Sequence, residues 1–207
     1  PDSVVIDMST ISPSATRRMA ETLAKKGIHM LDAPVSGGEQ GAIDGSLSIM
    51  VGGKEEVFQR VLPIFEVLGK NIVHVGEHGT GQVTKACNQI VIAQTLVAIS
   101  EAFILAKVSG ADPTKVRAAL LGGFAGSRVL ETHGQRILDH NFEPGFKARL
   151  HQKDMRICME TAHEMGIALP GAALATQNLN ALIGEGLGEE DSSALATILE
   201  RVSGVTI

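Results

Sequence analysis

Tryptophan and tyrosine are absent, and six phenylalanines make up the whole aromatic content of 3%. Proteins that bind nucleic acid stack bases on aromatic rings and gather cations against the phosphates. Here the net charge is −5 and the 18 lysines and arginines are scattered, so nucleic acid is excluded as the main partner. Cysteine is nearly missing too. Cys87 and Cys158 lie far apart and form no CxxC motif. That excludes a disulfide scaffold and predicts reduced thiols, packed in the interior of a cytoplasmic protein. The seven histidines (29, 74, 78, 133, 140, 151 and 163) show no metal-ligand spacing. No metal is expected, and they read as surface or helix-end residues. No signal-peptide pattern is visible. The chain opens on Pro1 and runs at once into an apolar strand, so a preceding segment is expected.

Uninterrupted apolar length is also lacking. From Val83 to Val108 there is neither glycine nor proline, and Glu101 is the only charge between Lys85 and Lys107. That span is long enough to cross a bilayer. Asn88, Gln89, Gln94, Ser100 and Glu101 interrupt it, too many polar groups for lipid contact. No membrane is expected. The span reads as a helix buried in a protein interior or a dimer interface.

What is present is ordinary globular composition, 44% apolar and 20% charged. "SVVIDM", "IHMLDAPVSGG", "SLSIMVGG" and "NIVHVG" read as four strands. The first helix is capped by Ser12, opens on Pro13 and ends at Gly27. A second covers "KEEVFQRVLPIFEVLG", where Pro63 is expected to kink or break it. Such alternation predicts an α/β layer with at least partly parallel pairing. After residue 78 the pattern is all-helical. Asp112 caps a helix opening on Pro113, and more helices follow near 127–139, 152–165, 171–185 and 191–203. The expected domains are therefore 1–78 and 79–207.

Three groups carry candidate chemistry. "GTGQVT" resembles a dinucleotide loop, but Thr84 stands where the third glycine belongs and the acid about 20 positions on, Glu101, lies inside a helix. The glycines are read instead as a tight strand-to-helix turn. Lys85 follows, in the first turns of an apolar helix, where the helix dipole and scarce water both disfavour its charged form. A lysine so placed can exchange a proton with a carbonyl oxygen; a lysine snorkelling at a helix end is the plainer reading. Asn88 and Gln89 share its helix face. In "DAPVSGG", Ser36, Gly37 and Gly38 have backbone N–H groups able to curl round a small anion, or form an ordinary turn. Lys153 and Asp154 alone read as a solvated pair.

Together, "DMSTISP", "LDAPVSGGEQGAIDGSLSIMVGG", "GTGQVTKACNQ", "GGFAGSRVL", "FEPGFKARLHQKDM" and "DSSALATILE" resemble the β-hydroxyacid dehydrogenase family, in the family's order and over nearly the whole chain. The resemblance implies an α/β remnant of a Rossmann-like domain (1–78) followed by an all-α, 6-phosphogluconate-dehydrogenase-like domain (79–207) with one long buried helix. It implies NAD or NADP as cofactor. Lys85 would be catalytic. Ser36, Gly37 and Gly38 would hold the substrate carboxylate, with Asn88, Gln89 and Asp154 near the substrate. Thr10 and Lys153 would touch the cofactor. Many members carry asparagine four residues after the lysine; here Gln89 holds that position, and Asn88 is the expected substrate amide. "LDAPVSGGE", "GGFAGS" and "LHQKDM" favour reduction of tartronate semialdehyde to glycerate over 3-hydroxyisobutyrate or succinic semialdehyde as substrate. The family's G-x-G-x-x-G half-domain has no counterpart here, so the chain alone is expected to bind dinucleotide weakly and to lack activity. An oligomer, homodimer or homotetramer, is expected to cover the sheet edge. A non-catalytic helical dimerisation module is the alternative from another class.

Overall fold

The computed structural model describes residues 2–207. The chain forms two compact units, residues up to Asn88 with His163–Met165, and Gln89–Ala162 with Gly166–Ile207.

The first unit holds the sheet. Its order is β1 (Val4–Asp7), α1 (Pro13–Ala24), β2 (His29–Asp32), β3 (Val35–Ser36), α2 (Gly38–Ile43), β4 (Leu47–Gly52), α3 (Glu55–Leu68), β5 (Gly69–Gly76) and the start of α4 (Thr80–Val108). β1 runs parallel to β2 and β4 parallel to β5, while β2 and β3 both pair antiparallel with β4. The single strand expected over "IHMLDAPVSGG" is thus two. Pro34 has no N–H to give the ladder, and it stays beside β4 only through its carbonyl, which accepts from Met50 N at 3.0 Å. Leu31, Ile49 and Val51 from the sheet and Val57, Val61 and Phe65 from α3 form the core. Pro63 neither breaks α3 nor shortens it. Pro63 and Gln59, whose carbonyl loses its donor, are both exposed, so the freed carbonyl lies on the solvent side of the helix. Buried Val57, Phe58, Val61 and Phe65 hold the turns on both sides of it.

The second unit is helical: the rest of α4, then α5 (Pro113–Leu121), α6 (Arg128–Leu138), α7 (Ala148–Met165), α8 (Pro170–Gly184), a 3-10 turn (Ser192–Ala194) and α9 (Leu195–Ser203). By length and composition α4 is the one described helix able to cross a membrane. Here one of its faces makes the unit's core, with Ile99 and Phe103 packed among Leu130, Ile137 and Ala196. Burying one side chain the size of Phe103 contributes about 1.5–3 kcal/mol. The opposite face keeps Val91, Leu105 and Val108 exposed.

Both caps read from the sequence are present. Ser12 accepts from Ala15 N at 3.4 Å and Asp112 from Thr114 N at 2.9 Å. α7 begins earlier than expected, at Ala148 instead of near 152. Its first N–H groups find acceptors some forty residues on: Ala148 N donates to Glu190 O at 2.8 Å and Arg149 N to Gly188 O at 3.0 Å. No local cap marks that start in the sequence.

Candidate functional site

In the first unit, the piece that orders the candidate residues is Asp32, at the carboxyl end of β2 and completely buried. Its Oδ1 accepts from Gly79 N at 2.8 Å and its Oδ2 from Gln82 N at 3.0 Å. These are first-turn donors of α4, left open by any helix start, and the carboxylate also suits the positive end of the dipole. A helix whose N-terminal donors already hold a carboxylate cannot offer them to a pyrophosphate, so "GTGQVT" is not a dinucleotide loop. The two glycines differ in role. Gly79, at φ +87°, makes the turn. Gly81 is needed for close approach, because a Cβ there would overlap the Met50 carbonyl oxygen and lie 2.7 Å from that of Asp32.

Gln82 continues the network. Its side-chain Oε1 accepts from Ile11 N at 3.1 Å and its Nε2 donates to Ser9 O at 2.7 Å. This amide grips the loop after β1 on both sides of Thr10, which is half-buried. Lys85 lies three residues beyond Gln82 on α4 and is only 7% exposed, more enclosed than a snorkelling lysine would be. Ser36 follows Asp32 by four residues, so the lysine helix and the Ser-Gly-Gly turn leave from one junction. Ser36 pairs with Ser48 in β3, and Gly37 and Gly38 then turn at φ +138° and +63° into the six-residue α2. Both glycines are exposed, and no side chain caps α2. Asn88 is half-buried.

In the second unit, Gln89, 2% exposed, donates through Nε2 to Asp154 Oδ2 at 2.7 Å. Lys153 Nζ stands 2.8 Å from Asp154 Oδ1, as an ion pair instead of an aligned hydrogen bond. Asp154 is 3% exposed, so the solvated-pair reading fails: α7 turns this carboxylate inward. His151, expected at the surface, is completely buried, with Nε2 3.4 Å from the Gln89 carbonyl oxygen and its ring against Phe146. It lies three residues before Asp154, on the same inward helix face. Cys158 is buried as expected, whereas Cys87 is exposed on α4. Among the described residues no cluster of histidine, cysteine and carboxylate suits a metal.

A third carboxylate, Asp191, decides where α7 begins. It is completely buried. Oδ2 accepts from Gly145 N and Phe146 N, each at 3.0 Å, and Oδ1 from Ser193 N at 3.0 Å and Ser193 Oγ at 2.6 Å. Burial pushes its pKa up, but the His133 imidazole 3.6 Å away and the Ser193 and Phe146 donors outweigh that, leaving it well below the usual carboxylate range. Asp32, Gln82 and Asp191 were not singled out from the sequence. A lone acid ending the apolar strand "IHMLD" and an aspartate before "SSALATIL" were the available signals.

For a nicotinamide cofactor, the first unit offers a fixed loop at the carboxyl end of parallel strand β1, where doubly wound sheets bind ligands. With Gln82 holding its two flanks, Thr10 fits contact with one side of such a group. Among the described residues no G-x-G-x-x-G turn for the pyrophosphate is found.

Two family models match the chain. Residues 1–76 match the family model described as the NAD binding domain of 6-phosphogluconate dehydrogenase. Residues 79–199 match the one described as NAD-binding of NADP-dependent 3-hydroxyisobutyrate dehydrogenase. The chain is 50% identical over 199 residues to the 2-hydroxy-3-oxopropionate reductase of Escherichia coli, covering 96% of this chain and 68% of that protein. It is 37% identical over 206 residues to the 2-(hydroxymethyl)glutarate dehydrogenase of Eubacterium barkeri, covering 99% and 68%. Among solved structures, the 3-hydroxyisobutyrate dehydrogenase of Mycobacterium tuberculosis with L-serine superposes with a TM-score of 0.90 at 32% identity, over 96% of this chain and 70% of that one. The chain spans 61% to 68% of the length of such curated relatives.

Proposed function

The chain belongs to the 3-hydroxyisobutyrate dehydrogenase family of NAD(P)-dependent oxidoreductases, and we propose that it serves the reduction of tartronate semialdehyde (2-hydroxy-3-oxopropanoate) to glycerate. The observation that carries this reading is Lys85, buried to 7% exposure on a helix whose start is fixed by Asp32. The substrate follows the name of the Escherichia coli relative. We infer a cytoplasmic enzyme, a setting that keeps thiols such as Cys87 and Cys158 reduced.

The substrate carboxylate rests on the N–H groups of the turn at Ser36, Gly37 and Gly38 and on the Ser36 hydroxyl. A reduced nicotinamide, NADH or NADPH, held beside Thr10 and Lys153, would supply hydride to the aldehyde carbon. Negative charge then builds on the aldehyde oxygen, and Lys85, protonated, stabilises it and gives up its proton. Asn88 holds the substrate hydroxyl. In the second unit we assign Gln89 and Asp154 to the substrate side and Lys153 to the cofactor, as the family pattern implies. Thr10, gripped by Gln82, is assigned to the cofactor.

Steady-state reduction by a full-length protein that contains this chain, followed by loss of the reduced cofactor's absorbance, tests the lysine. Lys85→Ala lowers turnover on the order of 10²–10⁴-fold. Lys85→Arg does not rescue it, because guanidinium keeps the charge but does not yield its proton. Near wild-type turnover in Lys85→Arg would leave position 85 as an electrostatic clamp, and unchanged turnover in Lys85→Ala would rule out its catalytic role. A tenfold preference for methylmalonate or succinic semialdehyde in a substrate panel would move the substrate assignment but not the role of Lys85.

A further inference from the structure

Thr10, assigned to the cofactor, and Lys85, assigned to the proton, stand on separate elements of the first unit. One side chain joins those elements. Gln82 lies in the first turn of α4, three residues before Lys85 and about 4.5 Å from it along the helix axis. It is 1% exposed. Asp32 Oδ2 accepts from its main-chain N–H at 3.0 Å, which pins the residue to the end of β2. Its amide crosses to the segment between β1 and α1. There Nε2 donates to Ser9 O at 2.7 Å and Oε1 accepts from Ile11 N at 3.1 Å.

Those two atoms belong to the peptide groups on either side of Thr10. A residue of a parallel strand bonds its neighbour in the same way, through the carbonyl before the facing residue and the N–H after it. The register of β1 with β2 runs as far as Asp7, and the Gln82 amide then acts as one residue of a parallel strand laid beside Thr10. It holds both flanking peptide planes, and so the direction in which the Thr10 side chain leaves the backbone. A neutral amide suits this task. Ser9 O needs a donor and Ile11 N an acceptor, and a single orientation of the amide serves both. Glutamate would lose the donor, and an apolar side chain of equal length would lose both bonds. Hydride and proton must reach adjacent atoms, the aldehyde carbon and its oxygen. A shift of the Thr10 segment against α4 separates the two deliveries, and a misplacement of about 1 Å costs up to about 10²-fold in rate. We propose that Gln82 is a positioning residue that sets the cofactor segment at Thr10 against the proton donor Lys85. The inference rests on the assignments of Thr10 and Lys85 made above, and Gln82 acts only through the residues it holds.

Kinetics and amide hydrogen exchange of a full-length protein that contains this chain test this. Gln82→Met keeps the length of the side chain and removes both bonds. It raises KM for the reduced nicotinamide and lowers kcat, each about tenfold, while KM for the semialdehyde stays near its wild-type value, because the Ser36-Gly37-Gly38 turn is not held by Gln82. A purely structural role would lower kcat by loss of folded protein and leave both KM values unaltered, and that result would overturn the proposal. A double-mutant cycle separates it from the functional reading. Thr10→Ala alone raises KM for the reduced nicotinamide, and in the Gln82→Met background it adds little further. Effects that multiply in full would overturn the coupling and leave the roles of Thr10 and Lys85 standing. A Thr10→Ala variant with unchanged kinetics would instead remove Thr10 from the cofactor, and the proposal with it. Exchange without cofactor needs no active enzyme and, in the wild type, no substitution. The Ile11 N–H should exchange on the order of a hundredfold more slowly than an open loop amide, and Gln82→Met should release it while the position 82 N–H, held by Asp32, stays protected. A wild-type Ile11 N–H that exchanges as fast as an open loop would overturn the proposal even if Gln82→Met failed to fold.

Discussion

Asp32 in the first unit and Asp191 in the second are both completely buried, and both spend their oxygens on main-chain N–H groups. Asp32 takes two, Gly79 and Gln82, both at the start of one helix. Asp191 takes three together with the Ser193 hydroxyl, and gathers the segments before α7 and before α9. His133 and Arg136 stand 3.6 and 3.8 Å from it. The first carboxylate aims a helix that carries a candidate catalytic residue. The second closes a loop on which a helical unit is built. A buried charge is tolerated in each place because its lone pairs are filled by donors that the backbone must satisfy anyway.

The contrast is broken most directly by removing each carboxylate. Asp191→Ala strands three N–H groups and a hydroxyl and should cost about 3–5 kcal/mol in urea unfolding. Asp32→Ala strands two and should cost about 2–3 kcal/mol, yet it should lower turnover more, since α4 carries Lys85. An inverted order in either measurement would erase the distinction. Acid sharpens it. Because the folded Asp191 binds its proton less readily than the ordinary value of 3.8, its stabilising contribution is full above that value and is lost as pH falls towards the lower folded one. Asp191→Asn should therefore unfold with a flatter pH dependence below about pH 4; an unchanged acid limb would refute the assignment. Next in size, Gln89→Glu sets a second carboxylate beside buried Asp154. The folded pair should retain a proton that the unfolded chain releases, so a loss of about 1–3 kcal/mol should grow as pH rises from mildly acidic to neutral. A loss that shrinks over that range would count against the contact. The smallest effect compares helix caps. Ser12→Ala, losing a 3.4 Å bond, should cost about 0.5 kcal/mol, and Asp112→Ala, losing one of 2.9 Å, about 1 kcal/mol. Thermal melting of the two variants checks the order.

Much of the architecture was legible locally. Ser12-Pro13 and Asp112-Pro113 announce helix starts through side-chain caps and a preset φ, and both starts are where the sequence put them. Gly79 announced a turn and makes one. Pro63 does not break α3, because a helix held by four buried side chains survives one missing N–H on its wet face. His151 and Asp154 misled in the same way. Polar residues near a helix start read as solvated until the partners that receive them, Gln89 and Phe146, are brought from elsewhere in the chain.

The sequence by itself determined the alternation of strand and helix up to residue 78, the helical remainder and the candidate chemistry of Lys85 and Ser36-Gly37-Gly38. Periodicity, capping and turn chemistry act within a few residues and leave their mark in order along the chain. Tertiary structure alone decided that Asp32 caps a helix 47 residues away, that Gln82 holds the loop of Thr10, that α7 starts at Ala148, and which face of α4 stays open to solvent. Those outcomes depend on hydrogen bonds and apolar contacts between distant segments, and a donor's partner has no signature in the sequence next to it.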